Sequence, residues 1–318
     1  VLGASGFVGQ WVAQRIATDW KEGRLWCAGR DPAAVDTALA SHGVQATACR
    51  VDVLSRPDLE HLLREVRPHV VFNLVGYGVD PTERDEALAR AVNVELVRVL
   101  LALVGEHADP AWPGAQLVHT GSALEYGDVA GELSEDREGR PTSSYGATKL
   151  AGTKLIVQAH HEGRALRATV ARLFTVFGPG EHRGRLLPTL LEASRTSDRI
   201  ALTSGSQLRD FTYVEDVALG LVRLSTVGAE GPALINLGTG RLSSVREFIL
   251  AAAEELGLSP TRLGFGDVPQ RPEEIPHARV TTERLRNSLG WVPETSIREG
   301  VRATVAWLRA RDGKDRRP

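Results

Sequence analysis

Tyr145 and Lys149 stand four residues apart in SSYGATKL, within a segment whose pattern predicts a helix over Ser144–His160. At that spacing both side chains project from one helix face. A free phenol titrates near a pH of about 10, and an ammonium beside it stabilises phenolate. A lysine held next to a tyrosine therefore brings proton exchange with a carbonyl or an alcohol toward neutrality. Upstream, a strand running into HTGSALEYG puts Ser122 at its carboxyl end, where open α/β sheets bind ligands. The Ser122 hydroxyl can then bond the same substrate oxygen as Tyr145. Without such a neighbour a Tyr/Lys pair is an ordinary surface feature; with it, the trio Ser122, Tyr145 and Lys149 is a candidate proton-transfer site.

A second constellation opens the chain. GASGFVG places Gly3, Gly6 and Gly9 between a strand end and a helix start, so the turn is tight and the backbone approaches a pyrophosphate at the helix N-terminus. With Ser5, Phe7 and Val8 between them, these glycines form the expected dinucleotide cradle. The spacing is Gly-x-x-Gly-x-x-Gly rather than Gly-x-Gly-x-x-Gly, and its position at the first strand–helix junction gives it weight. About 20 residues on, where a ribose-reading residue is expected, stands Gly29-Arg30-Asp31. Gly29 takes the place where an NAD site carries a carboxylate, and Arg30 can pair with a 2′-phosphate, which predicts NADP. The alternative is a solvated Arg30 with Asp31 on the ribose of NAD. Asp52 and Val53, at the end of the third expected strand, are placed at the adenine; Asp52 reads equally as a turn-initiating residue before a helix.

The elements that must position these groups alternate. Short apolar runs at Val1-Leu2, Leu25–Ala28, Ala46–Val51, Val70–Leu74, Gln116–Thr120 and Ala168–Leu173 are separated by helix-length segments at Val8–Trp20, Pro57–Val66, Arg84–Val104 and Ser144–His160. This alternation predicts an α/β fold: a Rossmann-type doubly wound parallel sheet. After Gly178-Pro179-Gly180 the rhythm changes to mixed short elements, with helices at Ser244–Leu256 and Ile297–Arg311, giving a smaller C-terminal α/β substrate lobe. The expected division is 1–171 and 211–240 for the dinucleotide domain, 172–210 and 241–311 for the lobe, and 312–318 as a frayed tail. Val1-Leu2 has the character of a strand end, and there is no methionine. The first strand is accordingly expected to be truncated.

The 318 residues carry 38 Lys+Arg against 40 Asp+Glu, so no global basic field points to nucleic acid, and any anion must be met locally. At 42% hydrophobic and 25% charged, with 32 Gly and 16 Pro, the composition excludes disorder, collagen and coiled coil. Cys27 and Cys49 lie in apolar strand-like runs and read as two buried thiols rather than a disulfide or a metal site, which suits a reducing cytoplasm. No apolar run of about 18 residues exists to span a membrane.

Taken together, the motifs resemble those of the extended short-chain dehydrogenase/reductase family: nucleotide-sugar epimerases, dehydratases and reductases. GASGFVG is similar to its glycine motif, NLVG at Asn73–Gly76 to its fourth-strand motif, and YGATK at Tyr145–Lys149 to its catalytic motif. RLFTVFGPG, RDFTYVEDV, INLGTG and LGWVP follow its later signatures, so the resemblance covers nearly the whole chain. It implies that Tyr145 is the general acid/base, that Lys149 binds the nicotinamide ribose while tuning Tyr145, and that Ser122 orients the substrate oxygen. It further implies cofactor contacts at Leu74, Val75 and Gly76. Arg209 in RDF and Arg271 in QRP resemble residues that grip a sugar nucleotide's diphosphate, a task suited to the planar, permanently charged guanidinium. A homodimer is implied through the helices at Arg84–Val104 and Ser144–His160.

Departures from the family pattern narrow the chemistry. Where 4,6-dehydratases carry an Asp-Glu pair after the catalytic hydroxyl residue, this chain has Ala123 and Leu124. Dehydration is therefore not expected. Glu125 comes one position too late and, on an extended backbone, points to the opposite face. Thr175 stands where many relatives have an asparagine, which shortens that substrate contact. The sequence reading is an NADP-dependent reductase of a keto nucleotide sugar, a 4-keto-6-deoxyhexose. The runner-up is a nucleotide-sugar epimerase with retained NAD(P), and the third is a non-catalytic dinucleotide-sensing protein.

Overall fold

The computed structural model describes residues 1–314 except 81, 130, 163–165, 229 and 270–278, with side chains described as far as 311. Apolar runs too short for helices and rich in Val, Leu and Ala become parallel strands covered on both faces. Across the main sheet the order is Thr47–Arg50, Trp26–Gly29, Leu2, Val71–Asn73, Leu117–Ser122, Ala168–Leu173 and Leu234–Leu237. Leu2 joins the halves through parallel bridges to Ala28 and Asn73. Chain order runs outward in both directions from Leu2. That residue marks the topological switch point, the place where such sheets bind ligands beyond the strand ends. The doubly wound parallel arrangement is the expected one, and Leu234–Leu237 adds an edge strand to the six expected.

The helices depart from the sequence reading in three informative places. Pro32–Ala40 forms a helix that apolar periodicity did not announce; Asp31 caps it by accepting from the Ala33 N–H, and Pro32 stands in its first turn. The long segment expected as one helix over Arg84–Val104 is instead Glu86–Arg90, a π turn at Ala91–Glu95, and Leu96–His107. The last helix runs over Ile297–Lys314, so residues 312–314 continue it rather than fray, while 315–318 lie outside the described residues.

In the second lobe, short pairs replace the long sheet. Thr175–Phe177 pairs with Phe211–Tyr213, Ile200–Leu202 with Leu263–Phe265, and Leu208–Arg209 with Ser243-Ser244. Glu132-Leu133, from the segment assigned to the dinucleotide domain, pairs with Arg279-Val280 of the lobe. Phe211 stacks on Phe248 with centroids 4.4 Å apart, and Phe177 meets Phe248 edge-on at 5.2 Å. Such aromatic pairs contribute roughly 0.5–1.5 kcal/mol beyond burial.

The first helix, Phe7–Asp19, belongs to both parts. Trp11 lies edge-on to His42 at 4.5 Å, faces Trp307 of the last helix at 6.3 Å, and donates its indole N–H to the Pro179 carbonyl at 2.9 Å. Its inner face, Val12, Ala13 and Ile16, is buried against the sheet. The helix can lie this close because residue 9 has no side chain: a Cβ there would stand 2.0 Å from the Gly3 carbonyl oxygen and 2.9 Å from the Ala4 Cα. Gly9→Ala must push backbone against backbone. We expect it to lower unfolding free energy by about 1–3 kcal/mol, read as an earlier urea midpoint at unchanged slope.

Candidate active site

The glycine-rich turn has the form a pyrophosphate requires. Gly3 sits at φ +81°, and a Cβ on it would press on the Leu74 carbonyl carbon at 3.1 Å and the Val75 nitrogen at 3.2 Å. Its carbonyl accepts from the Gly6 N–H at 3.0 Å. Gly6 is the N-cap of the first helix; no side chain caps it, and its first turn carries no acidic residue. The amides of Phe7 and Val8 and the positive end of the helix dipole are thus left for an anion. Ser5 is exposed at the same turn, and Leu74 and Val75 line its far side. These residues fit a dinucleotide.

At the ribose end, Arg30 is exposed at the tip of Trp26–Gly29. Asp31, the alternative reader, uses its carboxylate to cap the next helix, accepting from Ala33 at 3.0 Å. Parallel register places Gly29 opposite Arg50, which is also exposed. Arg50 is a residue the sequence did not single out, because only strand pairing sets it opposite Gly29. Asp52 accepts from the Leu54 N–H at 3.0 Å, which is the turn-initiating geometry, and Val53 is half-buried beside it.

Ser122, Tyr145 and Lys149 are brought together. Ser122 ends the Leu117–Ser122 strand, Tyr145 and Lys149 lie on the Ser144–His161 helix, and the Ser122 hydroxyl hydrogen-bonds the Tyr145 phenol. Lys149 is 2% exposed. Burial lowers its pKa to about 8, opposed by the negative charge of Glu125. The Tyr145 phenol departs from the expected depression. Burial pushes it up to about 12, with Glu125 and Glu83 adding to the rise, and the Ser122 hydrogen bond and Arg185 working against it. Desolvation of the phenolate outweighs any stabilisation in the ligand-free chain.

Glu125 corrects a second expectation. Residues 123–125 form a 3₁₀ turn rather than extended strand, so the side chain folds back beneath Ser122 instead of facing away. Its Oε1 accepts from the Ser122 N–H at 2.7 Å, and its Oε2 accepts from Arg172 Nε at 2.8 Å. Ala123 and Leu124 bring no carboxylate to the substrate side. The π turn supplies another residue the sequence did not reveal. It holds Asn93 inward, where its amide accepts from Tyr77 N–H at 3.2 Å and donates to the Tyr77 carbonyl at 2.8 Å and to Thr148 Oγ1 at 3.0 Å. The loop after Gly76 is thereby tied to the catalytic helix.

On the lobe side, Thr175 is half-buried at the start of its strand and its N–H donates to the Asp210 carbonyl at 2.9 Å. Arg209 is half-buried on the strand paired with Ser243-Ser244 and donates to the Leu208 carbonyl at 2.7 Å. Asp210 beside it is buried and accepts from the backbone N–H of Thr239 at 3.0 Å and of Gly240 at 2.7 Å, which fixes the INLGTG turn next to Arg209. Arg271 lies outside the described residues. Glu181, one residue past the GPG turn, is paired with Arg185 at 3.6 Å; burial raises its carboxyl to about 7 against that pairing.

Comparison with known proteins identifies the family. The family model described as "NAD dependent epimerase/dehydratase family" matches residues 1–238. The chain is 31% identical over 313 residues to a dTDP-6-deoxy-L-talose 4-dehydrogenase (NAD(P)(+)) from Kitasatospora kifunensis, covering 95% of this chain and 92% of that one. It is 29% identical over 329 residues to a UDP-glucose 4-epimerase from Mycolicibacterium smegmatis, covering 97% of each. Among solved structures, MoeE5 in complex with UDP-glucuronic acid and NAD superposes with a TM-score of 0.81 at 28% identity, covering 98% of both chains. With a glycine cradle at the sheet's switch point, a Ser/Tyr/Lys set at the neighbouring strand end and a family model that spans both, the chain belongs to the NAD-dependent epimerase/dehydratase family, the NAD(P)-dependent enzymes of the extended short-chain dehydrogenase/reductase type.

Proposed function

We propose that the protein is an NADP-dependent reductase of a keto nucleotide sugar, acting on a 4-keto-6-deoxyhexose. The observation that supports this reading is the presence of two exposed arginines, Arg30 just after the Trp26–Gly29 strand and Arg50 opposite Gly29, near the position expected for a ribose reader, with the Asp31 carboxylate capping the next helix. Two guanidinium groups suit a 2′-phosphate and have no task on a bare 2′-hydroxyl. The Kitasatospora relative supports the same direction: it is a 4-dehydrogenase of a 6-deoxy sugar nucleotide that takes NAD(P)(+), and 4-dehydrogenation run backwards is reduction of a 4-ketone.

When bound, the reduced nicotinamide supplies hydride for the carbonyl carbon. Everything else falls to the chain's own groups. The Tyr145 phenol, held up to about 12, is protonated at neutral pH and so stands ready to give its proton to the oxygen that becomes an alkoxide. Ser122 donates to the same oxygen and steadies the developing charge. Lys149 as ammonium supports the phenolate that remains and meets the ribose hydroxyls. Arg209 holds the sugar's diphosphate, and Thr175 contacts the substrate with a hydroxyl in place of an amide.

The second reading, a nucleotide-sugar epimerase, uses the same three residues and is favoured by the Mycolicibacterium relative. An assay separates the two. NADPH and then NADH are incubated with nucleotide sugars with and without a 4-keto group, and nicotinamide absorbance and products are followed. Net NADPH consumption with keto substrates is expected; conversion of a non-keto sugar to its epimer with no net cofactor change would establish the epimerase instead. Tyr145→Phe is expected to lower kcat by roughly 10²–10⁴-fold while leaving NADPH affinity nearly unchanged; full turnover in that variant would defeat the mechanism. Arg30→Ala and Arg50→Ala are each expected to weaken NADPH by about tenfold or more, the loss of a charge-assisted hydrogen bond, with little effect on NADH. Equal losses for both cofactors would contradict the phosphate-reading role.

A further inference from the structure

Glu125 is a carboxylate with no exposed surface, inside a site that already holds a buried cation. Its side chain is 0% exposed and that of Arg172 is 3% exposed. Isolated charges at such depth cost several kcal/mol each and persist only when paired and hydrogen-bonded. Both Glu125 oxygens are engaged, one by the Ser122 N–H and one by Arg172 Nε. The neighbouring strand makes room for this. A Cβ on residue 121 would stand 2.6 Å from Glu125 Oε1, so Gly121, which pairs directly with Arg172, admits the carboxylate. Arg172 is fixed in turn by the Tyr126 ring, 4.5 Å from its guanidinium carbon, and the Tyr126 hydroxyl donates to Asn236 Oδ1 at 2.7 Å.

The charges around the catalytic pair are unequal. Lys149 is opposed in its burial by Glu125. His119, which also feels the charge of Lys149, is held neutral by burial, its Nδ1 bonded to the Asn73 amide at 3.0 Å. Tyr145 faces Glu125 and Glu83 on one side of the balance and Arg185 on the other. Glu125 is the carboxylate common to both catalytic groups.

We propose that Glu125 is a positioning residue with two effects: through the Ser122 backbone amide it fixes the hydroxyl that meets the substrate oxygen, and through its charge it keeps Lys149 an ammonium and Tyr145 a protonated phenol. Arg172 is the counter-cation paired with Glu125 at 2.8 Å. The role rests on Tyr145 acting as a general acid, the form a reductase needs at the start of its cycle. Departure from the dehydratase pattern thus has a positive side: the carboxylate that arrives one residue late acts beneath the site rather than in it.

Lys149 is one of four lysines in the chain, so its titration can be followed in the ligand-free protein by NMR of ¹³C-labelled lysine, assigned with Lys149→Arg. Glu125→Gln keeps the shape and can still accept from Ser122 while removing the charge. In the double variant Glu125→Gln/Arg172→Gln no buried guanidinium is left unpaired. In both, the Lys149 midpoint is expected to fall by about one unit, a tenfold loss of ammonium at a given pH, as for removal of a nearby opposite charge. The basic limb of the kcat profile should move down with it. A Lys149 midpoint unchanged in both variants overturns the proposal, and so does loss of folding in both, which would make packing rather than charge the contribution of Glu125. The NMR titration needs no substrate. A chain in which Lys149 shifts but keto sugars consume no NADPH would keep this inference and lose the reductase reading.

Discussion

The backbone contact between Gly9 and the Gly3 carbonyl sets where the first helix begins and how closely it lies on the sheet. From it follows most of what surrounds the site. Because the helix is flush with the strand, Leu2 can bridge Ala28 on one side and Asn73 on the other, and the two halves of the sheet become continuous. The same contact leaves the helix N-terminus bare at the switch point, with unclaimed amides facing the strand ends. The helix also carries Trp11 outward to Pro179 and Trp307, so the lobe that shapes the substrate side is anchored to the element that offers the anion site. A bare helix N-terminus and the Trp11 anchor therefore share one element.

Charge is the second organising constraint. A chain with nearly equal numbers of acids and bases has no field to attract a doubly anionic cofactor and a diphosphate substrate at once, so each cation must be placed individually. Arg30 and Arg50 are exposed at the strand ends, where they keep their hydration until a ligand arrives. Lys149 is the opposite case, buried and depressed to about 8. Its neighbourhood contains an ion pair in which both carboxylate oxygens are hydrogen-bonded. That arrangement is costly in stability terms, and a hydrophobic replacement of the pair would fill the space as well. What it supplies is a fixed charge close to the reacting groups, where low polarisability makes that charge effective.

Some features were legible in the residue order because they are local. The glycine spacing, the Tyr145–Lys149 interval and the strand-then-turn around Ser122 concern neighbours within one turn or one element, where backbone geometry follows from sequence directly. The parallel alternation of strands and helices is legible for the same reason, since each apolar period reports its own element. The Pro32–Ala40 helix escaped that reading because its nine residues show little amphipathic contrast, and its cap and proline mark it more clearly than its apolar residues do. The break in Arg84–Val104 escaped because a π turn keeps the apolar periodicity while shifting one residue inward, here Asn93.

What the sequence determined by itself was an α/β sheet with a glycine-rich first turn and a Ser/Tyr/Lys set, the pattern expected of a dinucleotide cradle beside a proton-transfer site. Tertiary structure decided which charges act together. Arg50 comes opposite Gly29, one residue from Arg30, only through parallel register across two strands, and Glu125 turns under Ser122 only because a 3₁₀ turn replaces the strand after it. The direction of the Tyr145 shift was decided there too, since spacing along a helix says which groups are near each other but not how much water is removed around them, and for a buried phenol desolvation is the larger effect.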